Sequence, residues 1–147
     1  TVGPGSFSGL RTGVAFCQGI SFSGKRELYG VTTLQALECF ATSAVKTAVV
    51  IRARNGFWYL RLDGKESFIE TADVVAQLKQ SGVKAIVADE PATADETLKA
   101  LFTELGATIT LDTGKPLNCW APLFQTVKPN LIQEANYIQP SYFEKLK

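Results

Sequence analysis

The sequence predicts an α/β protein built from layers of helices and strands. An apolar strand pattern over residues 83–88 is followed by a helix pattern over residues 93–105, with Gly106 just past its end. Asn55-Gly56, the strongest short hairpin signal, separates strand patterns at residues 47–54 and 57–62. Because helices alternating with strands bury their apolar faces against a shared sheet, this order favours the α/β class.

The amino-acid composition argues against several classes of function. The 147 residues carry a net charge of +1, which argues against a dedicated polyanion-binding surface. The chain has no apolar run of about 18 residues and no signal-peptide pattern, so we expect a cytoplasmic protein with no membrane contact. There is no histidine, the commonest general base and metal ligand, and three scattered cysteines indicate reduced thiols. There is no methionine either, so Thr1 is not a translation start and we expect an N-terminally incomplete chain.

The opening residues predict a strand end, a turn and a helix. Thr1 and Val2 resemble the end of a strand, the turn follows at residues 3–5, and the helix covers residues 9–21 with Ser6 or Ser8 as its cap. Small residues recur four apart in this helix, as Gly9 with Gly13 and as Ala15 with Gly19. Each helical glycine costs roughly 1 kcal/mol, so the spacing indicates a close approach of another backbone.

The remaining elements follow in order. A short strand is predicted at residues 27–31 and a helix at 34–42, capped by Thr32 or Thr33. After the hairpin come a helix at 71–80 ended by Gly82, the strand at 83–88, the helix at 93–105 and a strand at 107–111. Residues 112–129 are predicted as loop, 130–135 as helical and 137–147 as a tail anchored by aromatic residues. We expect a domain boundary near residue 44, dividing the chain into 1–44 and 45–147.

The glycine-rich segment GPGSFSGLR, residues 3–11, is the first candidate site. A glycine loop that opens a helix can bind phosphate through free backbone N–H groups, which makes a candidate ligand loop of Gly3, Gly5, Ser6, Ser8 and Gly9. The segment matches neither the Walker A pattern, nor GxGxxG, nor GxSxG, and without histidine no Ser–His pair can form within this chain. A tight strand-to-helix junction is the favoured interpretation, with a nucleotide or other ligand as the alternative.

Two further candidates each have a structural alternative. The hairpin from Arg52 to Arg61 interleaves arginines with aromatic residues, a pattern that can bind RNA. The pattern also suits a twisted hairpin, with Phe57, Tyr59 and Arg61 on one face and with Trp58, Leu60 and Leu62 on the other. The acidic pairs at residues 89–90 and 95–96 could hold Mg²⁺, or could stabilise helix N-termini. In both cases the structural interpretation is favoured.

The opening motif as a whole is more specific than its parts. The run VGPGSFSGLRTGVAFCQGIS, followed by YGVTTLQALE, resembles the bacterial TsaB family, which is YeaZ-like and belongs to a glycoprotease-like superfamily. Ser8 stands where that family usually has threonine. The segment IRARNGFWY is similar to the family's I-D-A-R-x-x-E-V-Y, with Arg52 in place of aspartate, and Pro140 and Tyr142 match the P-x-Y of its ending.

The resemblance implies a fold, partners and an interface. The fold would be actin/hexokinase-like (ribonuclease H-like), with two α/β subdomains and the first partly missing. The function would be that of a non-catalytic partner of a TsaD-like catalytic subunit and a TsaE-like ATPase, which form N6-threonylcarbamoyladenosine in tRNA. ATP and a metal ion would be bound by the partner subunits, and tRNA would be bound through the complex. In isolation the chain could form a homodimer. The partner interface would lie on the first helix, at Gly9, Leu10, Gly13, Val14 and Cys17.

Three functional hypotheses therefore stay open at this point. The first is the partner subunit just described. The second is an ATP-dependent enzyme of the actin/hexokinase-like fold that uses residues 3–9 and Asp89, or an inactive glycoprotease-like protein. The third is a direct RNA-binding module built on the hairpin of residues 52–61.

Overall fold

The structure is a computed structural model that describes residues 1–41, 45–113 and 117–138. Within it the chain forms two compact units, Thr1–Ala36 with Trp120–Lys147, and Leu37–Cys119. This division differs from the boundary predicted near residue 44, since the segment after residue 119 lies with the first unit. Backbone hydrogen bonds account for the difference, because Asn136 donates to the Val2 carbonyl at 2.7 Å and Asn130 donates to that of Leu28 at 2.8 Å.

The first unit is built around a long helix, α1 (Phe7–Gly24). It begins earlier than predicted because Ser6 is its cap, and it ends where Lys25 adopts the left-handed conformation. The expected strands at residues 1–2 and 27–31 are wrong, because those residues form no regular strand. They are nevertheless joined by hydrogen bonds, including one from the Val2 N–H to the Val31 carbonyl at 2.9 Å.

A short helix, α2 (Thr33–Glu38), follows. The backbone N–H of Gln35 donates to Thr32 Oγ1 at 3.0 Å, and the Thr32 N–H donates to Gln35 Oε1 at 2.8 Å. This reciprocal pair is a capping box, and it confirms Thr32 as the cap that the sequence offered.

The second unit, Leu37–Cys119, carries a five-stranded mixed sheet. Its strands are β1 (Thr47–Arg54), β2 (Phe57–Leu62), β3 (Lys65–Glu70), β4 (Ala85–Ala88) and β5 (Thr108–Leu111). Their order is β3-β2-β1-β4-β5, with β1, β2 and β3 antiparallel and with β4 parallel to β1 and β5. The α/β class and the bounds of β1 and β2 are confirmed, whereas β3 was not predicted.

Three helices belong to this sheet: α3 (Thr71–Ser81), α4 (Glu90–Ala94) and α5 (Glu96–Leu105). The helix predicted at residues 93–105 is confirmed from Glu96 to Leu105, with Gly106 past its end. Its predicted start is wrong, because Asp95 has an extended backbone (ψ 120°) between α4 and α5. Its side chain instead caps α5, accepting a hydrogen bond from the Leu98 N–H at 3.0 Å. One face of the sheet and the helices enclose the core, whose largest members include Trp58, Leu60, Ile86, Leu98 and Phe102.

After β5 the described chain contains only short helices. A 3-10 helix spans Leu117–Trp120 and α6 spans Leu123–Thr126. The helix expected at residues 130–135 is wrong, since these residues are irregular. Pro140 and Tyr142, which matched the family ending, lie outside the described residues. None of the described helices combines the length and apolar character needed to cross a bilayer.

Candidate functional site

The glycine-rich loop is fixed by close packing at Gly3. This residue is buried and has a φ of +112°, in the region that favours glycine. A Cβ atom placed there would lie 2.6 Å from the Asn136 carbonyl oxygen and 2.8 Å from Leu10 Cδ1. Its own carbonyl accepts a hydrogen bond from the Thr33 N–H at 2.8 Å. Gly3 therefore ties three segments of the first unit together, which supports the junction interpretation.

The hydroxyl groups of the loop have modest roles. Ser6 Oγ accepts a hydrogen bond from the Gly9 N–H at 3.4 Å and caps α1. Ser8 lies in the first turn and is exposed, as are Gly5 and Gly9. With no histidine in the chain to act as a base, neither serine has the usual partner of a nucleophile. A ligand at this loop stays a prediction.

One side of α1 faces its own unit. Leu10, Val14 and Gln18 are half-buried and Ser21 is buried, at positions i, i+4, i+8 and i+11. Gln18 Nε2 donates to the Gln133 carbonyl at 2.7 Å, and Ser21 Oγ donates to the Arg26 carbonyl. Leu10 and Val14, predicted for the partner interface, thus lie on the side that packs within the unit.

The neighbouring side of α1, which we call the open face, is exposed. It consists of Gly9, Gly13, Phe16, Cys17 and Ile20, at positions i, i+4, i+7, i+8 and i+11. Phe16 and Ile20 are 67% and 47% exposed, and a Cβ added at Gly13 would meet no atom within 4 Å. Three of the five predicted interface residues therefore share a face with two large exposed apolar side chains. Phe16 and Ile20 were not predicted as interface residues, although they lie seven and eleven positions after Gly9 in the sequence.

Arg11 of the opening motif has an aromatic environment. Its guanidinium carbon lies 4.2 Å from the centre of the Phe7 ring, and its Nε donates to the Tyr137 hydroxyl at 3.3 Å. The Phe7 and Tyr137 rings are 5.2 Å apart between centroids. The geometry is a cation–π contact that anchors the later segment on the start of α1. No sequence signal linked Tyr137 to this motif.

An apolar groove of about 480 Å³ runs beside α1. Gln18, Gly19, Phe22, Leu131 and Ile132 form its walls. Phe22 and Ile132 are 81% and 71% exposed. The groove was not predicted, because residues 130–135 were expected to be helical.

The hairpin of β1 and β2 has its aromatic residues in structural roles. Trp58 is buried, and its Nε1 donates to Thr71 Oγ1 at 2.8 Å. Arg54 lies over the Phe57 ring at 4.5 Å, and the Phe57 and Phe68 rings are stacked with centroids 4.9 Å apart. Trp58 cannot stack on a base while it is in the core, so the twisted-hairpin interpretation is favoured over RNA binding.

Arg61, at the end of the same hairpin, is neutralised by carboxylates. Its Nε lies 2.9 Å from Glu38 Oε2, and its Nη1 lies 3.2 Å from Glu66 Oε1. The side chain of Arg61 is only 13% exposed. An arginine paired in this way carries no free charge for a phosphate, so it adds nothing to an RNA site.

The acidic residues after β4 serve the helices. Asp89 Oδ1 accepts a hydrogen bond from the Ala92 N–H at 2.9 Å and Oδ2 accepts one from the Arg52 N–H at 2.7 Å, so both of its oxygens are used. Asp95 caps α5, as described above. The described residues contain no cluster of three or more His, Cys, Asp or Glu side chains suited to a metal ion. The hypothesis of a Mg²⁺ site at residues 89–96 is therefore not supported by the arrangement of these carboxylates.

A cleft of about 540 Å³ opens between the hairpin and α4. Arg52, Asn55, Trp58, Glu90 and Asp95 contribute to its walls. Arg52 donates to the Asn55 side-chain oxygen. The volume would fit a small molecule. However, the side chains of Arg52 and Asp95 are already hydrogen-bonded and Glu90 is exposed, so the described residues of the cleft provide no assembled catalytic group.

Comparisons with known proteins agree with this picture. Residues 1–109 match the model of the family described as "TsaD: tRNA N6-adenosine threonylcarbamoyltransferase". Among solved structures, the chain is similar to a crystal structure of an uncharacterized protein from Pseudomonas aeruginosa with similarity to peptidase YEAZ. The TM-score is 0.63 at 18% identity, over 94% of this chain and 71% of that one. A search of curated proteins finds no significant match.

These matches bear on both fold and family. The structural similarity, with the mixed sheet and its helices, is consistent with the predicted actin- and ribonuclease H-like fold. The family match covers well over half of the 147 residues and includes the glycine-rich loop and α1. The chain therefore belongs to the TsaD family, tRNA N6-adenosine threonylcarbamoyltransferase, which confirms the TsaB-like resemblance of its opening motifs.

Proposed function

We propose that this chain is a TsaB-like, non-catalytic partner subunit in the formation of N6-threonylcarbamoyladenosine in tRNA. Its direct partner would be a TsaD-like catalytic subunit, with a TsaE-like ATPase in the same system. The observation that carries the proposal is the open face of α1, where Gly9 and Gly13 lie beside the exposed Phe16 and Ile20.

The physical argument for docking rests on shape and apolar area. Glycines one turn apart leave a shallow furrow, because a side chain is missing at two successive positions on one side. The apolar residues beside the furrow would lose contact with water when a partner helix covers them, which contributes about 25 cal/mol per Å² of buried area. Large exposed apolar patches on a protein surface often mark interaction sites.

The residue content supports a non-catalytic role. A histidine-held metal, as in TsaD-type proteins, does not fit this chain because it contains no histidine. Ser6 and Asp89 are the groups closest to a catalytic type, and both are committed to capping helices. We therefore propose that ATP and a metal ion are bound by the partner subunits, that tRNA is met through the complex, and that the complex works in the cytoplasm.

Reconstitution tests the proposal. The full chain is combined with TsaD-like and TsaE-like proteins of the same organism, tRNA, ATP and the remaining substrates, and the modified nucleoside is quantified by mass spectrometry. We expect modification to depend on this chain. Modification of equal extent without it would contradict the proposal.

A matched pair of variants locates the contact on α1. Gly13→Trp fills the furrow of the open face, whereas Ala15→Trp adds the same side chain at an exposed position outside that face. We expect Gly13→Trp to weaken binding of the TsaD-like protein by about tenfold or more in calorimetry, while Ala15→Trp leaves it within about twofold. Equal effects of the two variants would contradict the assignment of the open face.

The alternative enzymatic hypothesis is separated by a second titration. If the isolated chain is an ATP-dependent enzyme, it binds ATP with Mg²⁺ stoichiometrically and hydrolyses it without partners. We expect neither result, since the carboxylates of Asp89 and Asp95 are occupied by backbone N–H groups.

A further inference from the structure

Two cysteines lie where the polypeptide passes between its compact units. We call the two places where the chain passes from one unit to the other the crossings; they lie between Ala36 and Leu37 and between Cys119 and Trp120. Cys39 follows the end of α2, close to the first crossing. Cys119 belongs to the 3-10 helix Leu117–Trp120, at the other crossing. Both are half-buried thiols that form no disulfide in this structure.

The two crossings are close in space although they are far apart in the sequence. Trp120 Nε1 donates a hydrogen bond to the Ala36 carbonyl at 2.9 Å. The residue after Cys119 thus contacts the helix that leads directly to Cys39. This contact brings the short segments bearing the two thiols together.

The electrostatics of Cys39 agree with this placement. Burial raises the pKa of the Cys39 thiol, and the charge of a Cys119 thiolate raises it further, as does Glu38, while Arg61 lowers it. A charge acts on a neighbour in this way only over a short distance, since water and salt screen it beyond about 10 Å. The raised pKa favours the protonated thiol of Cys39.

We propose that Cys39 and Cys119 are a modification site, at which a peroxide forms a reversible disulfide across the two crossings. One thiolate attacks the peroxide, the O–O bond breaks, and a sulfenic acid and hydroxide (or alkoxide) are formed. The second thiol attacks the sulfenic sulfur, the S–S bond forms, and water leaves with the proton of that thiol. The two sulfurs together lose two electrons, which the peroxide accepts, and a dithiol reductant reverses the reaction.

Cys17 provides the comparison within the same chain. It is exposed on the open face of α1 and belongs to the other compact unit. If exposure alone decided oxidation, Cys17 would react first and would form bonds between molecules. If the pairing decides it, Cys39 and Cys119 become linked while Cys17 stays a thiol.

The test is peroxide treatment of the full chain followed by alkylation and peptide mapping without reductant. We expect a cross-linked species joining the Cys39 and Cys119 peptides, lighter by two hydrogen atoms and lost on adding dithiothreitol, with Cys17 still alkylated. The Cys17→Ser variant should give the same link in a monomer, and Cys119→Ser should abolish it. In a denaturant the preference for this pair should disappear, because the fold no longer holds the crossings together.

Two results of the peroxide experiment would overturn the proposed disulfide. Alkylation of both Cys39 and Cys119 after peroxide treatment, at a dose that oxidises Cys17, would overturn the proposal. So would links that join Cys17 to the other cysteines as often as they join Cys39 to Cys119. If Cys119→Ser unfolds the chain, Cys119→Ala and the unchanged chain in denaturant supply the same comparison.

Discussion

The Asp89 carboxylate accepts a hydrogen bond from the backbone N–H of Arg52, at 2.7 Å, and so joins the end of β1 to the start of α4. Position 52 is where the resemblance predicted an aspartate and the sequence has arginine. Because the contact uses the Arg52 main chain, the substitution leaves it intact. The acidic group that looked like a metal ligand is a structural bridge between strand and helix.

The bridge gives the first prediction. Asp89→Ala should lower the free energy of unfolding by about 2 kcal/mol, because it removes a helix cap and leaves the Arg52 N–H without this acceptor. Urea unfolding followed by circular dichroism measures the change. Asp95→Ala, which removes a helix cap only, should cost about 1 kcal/mol. A loss for Asp89→Ala no larger than for Asp95→Ala would show that the bridge to β1 contributes nothing.

The second prediction is that the Asp112 carboxyl group makes the free energy of unfolding depend on pH. Burial raises the pKa of its carboxyl group, and the charge of Asp89 raises that pKa further. A raised pKa means that the folded state favours the protonated group, so its stabilising contribution is present below the unfolded pKa and is lost as pH rises through the folded pKa.

The Asp112→Asn variant tests this sign. We expect it to raise the free energy of unfolding at about pH 7, where the native carboxylate is charged, and to change it little at about pH 3, where the carboxyl is protonated in both states. Denaturant titrations at both pH values measure the difference. An effect of the same size at both pH values would mean that burial of the charge is not the cause.

The third prediction is that Trp58, in the β1–β2 hairpin, has a structural role and does not bind RNA. Trp58→Ala should destabilise the second unit by about 4 kcal/mol, because it empties a buried site. Thr71→Val, which removes the acceptor of the indole N–H and keeps the shape, should cost about 1–3 kcal/mol. Both changes are measurable by thermal unfolding. If Trp58→Ala instead left stability unchanged and reduced tRNA affinity, the RNA-binding hypothesis would return.

Two glycines of the opening motif predict opposite effects of the same substitution. Gly3→Ala should destabilise the chain by more than about 1 kcal/mol, because φ is positive there and the added Cβ meets the Asn136 carbonyl. Gly13→Ala should stabilise it by about 0.5–1 kcal/mol, because alanine favours the helical conformation more than glycine does and the added Cβ would meet no atom within 4 Å. Calorimetric melting measures both. Equal shifts would show that the loop is not tightly packed.

The fold was predictable where local signals agree. β1 and β2 follow from runs of apolar, β-branched and aromatic residues on both sides of Asn55-Gly56, and the structure has the same bounds. β3 was missed because its sequence KESFIE is charged at three of six positions, and its strand conformation depends on pairing with β2. The break at Asp95 was missed because helix periodicity continues across it, whereas the cap of α5 requires an extended residue there.

The site was predictable in part. Gly9 and Gly13 were chosen from small-residue spacing and Cys17 from the apolar stripe that it forms with Leu10 and Val14, and the structure places these three residues on an exposed face. Leu10 and Val14 were chosen as apolar residues of the same helix, but an apolar pattern cannot say which side a helix buries. Contacts between distant segments, such as Gln18 with Gln133 and Arg11 with Tyr137, decide that orientation and leave no periodic signal.

The docking of a partner on α1 is tested most directly with the Cys17 thiol, which is exposed on the open face. Its alkylation rate is measured by mass spectrometry with and without a saturating TsaD-like protein. We predict that the partner slows alkylation of Cys17 by about tenfold or more, because docking covers this face, while the half-buried Cys39 keeps its alkylation rate. An unchanged rate at Cys17 in a complex known to have formed would contradict the docking of a partner on this helix.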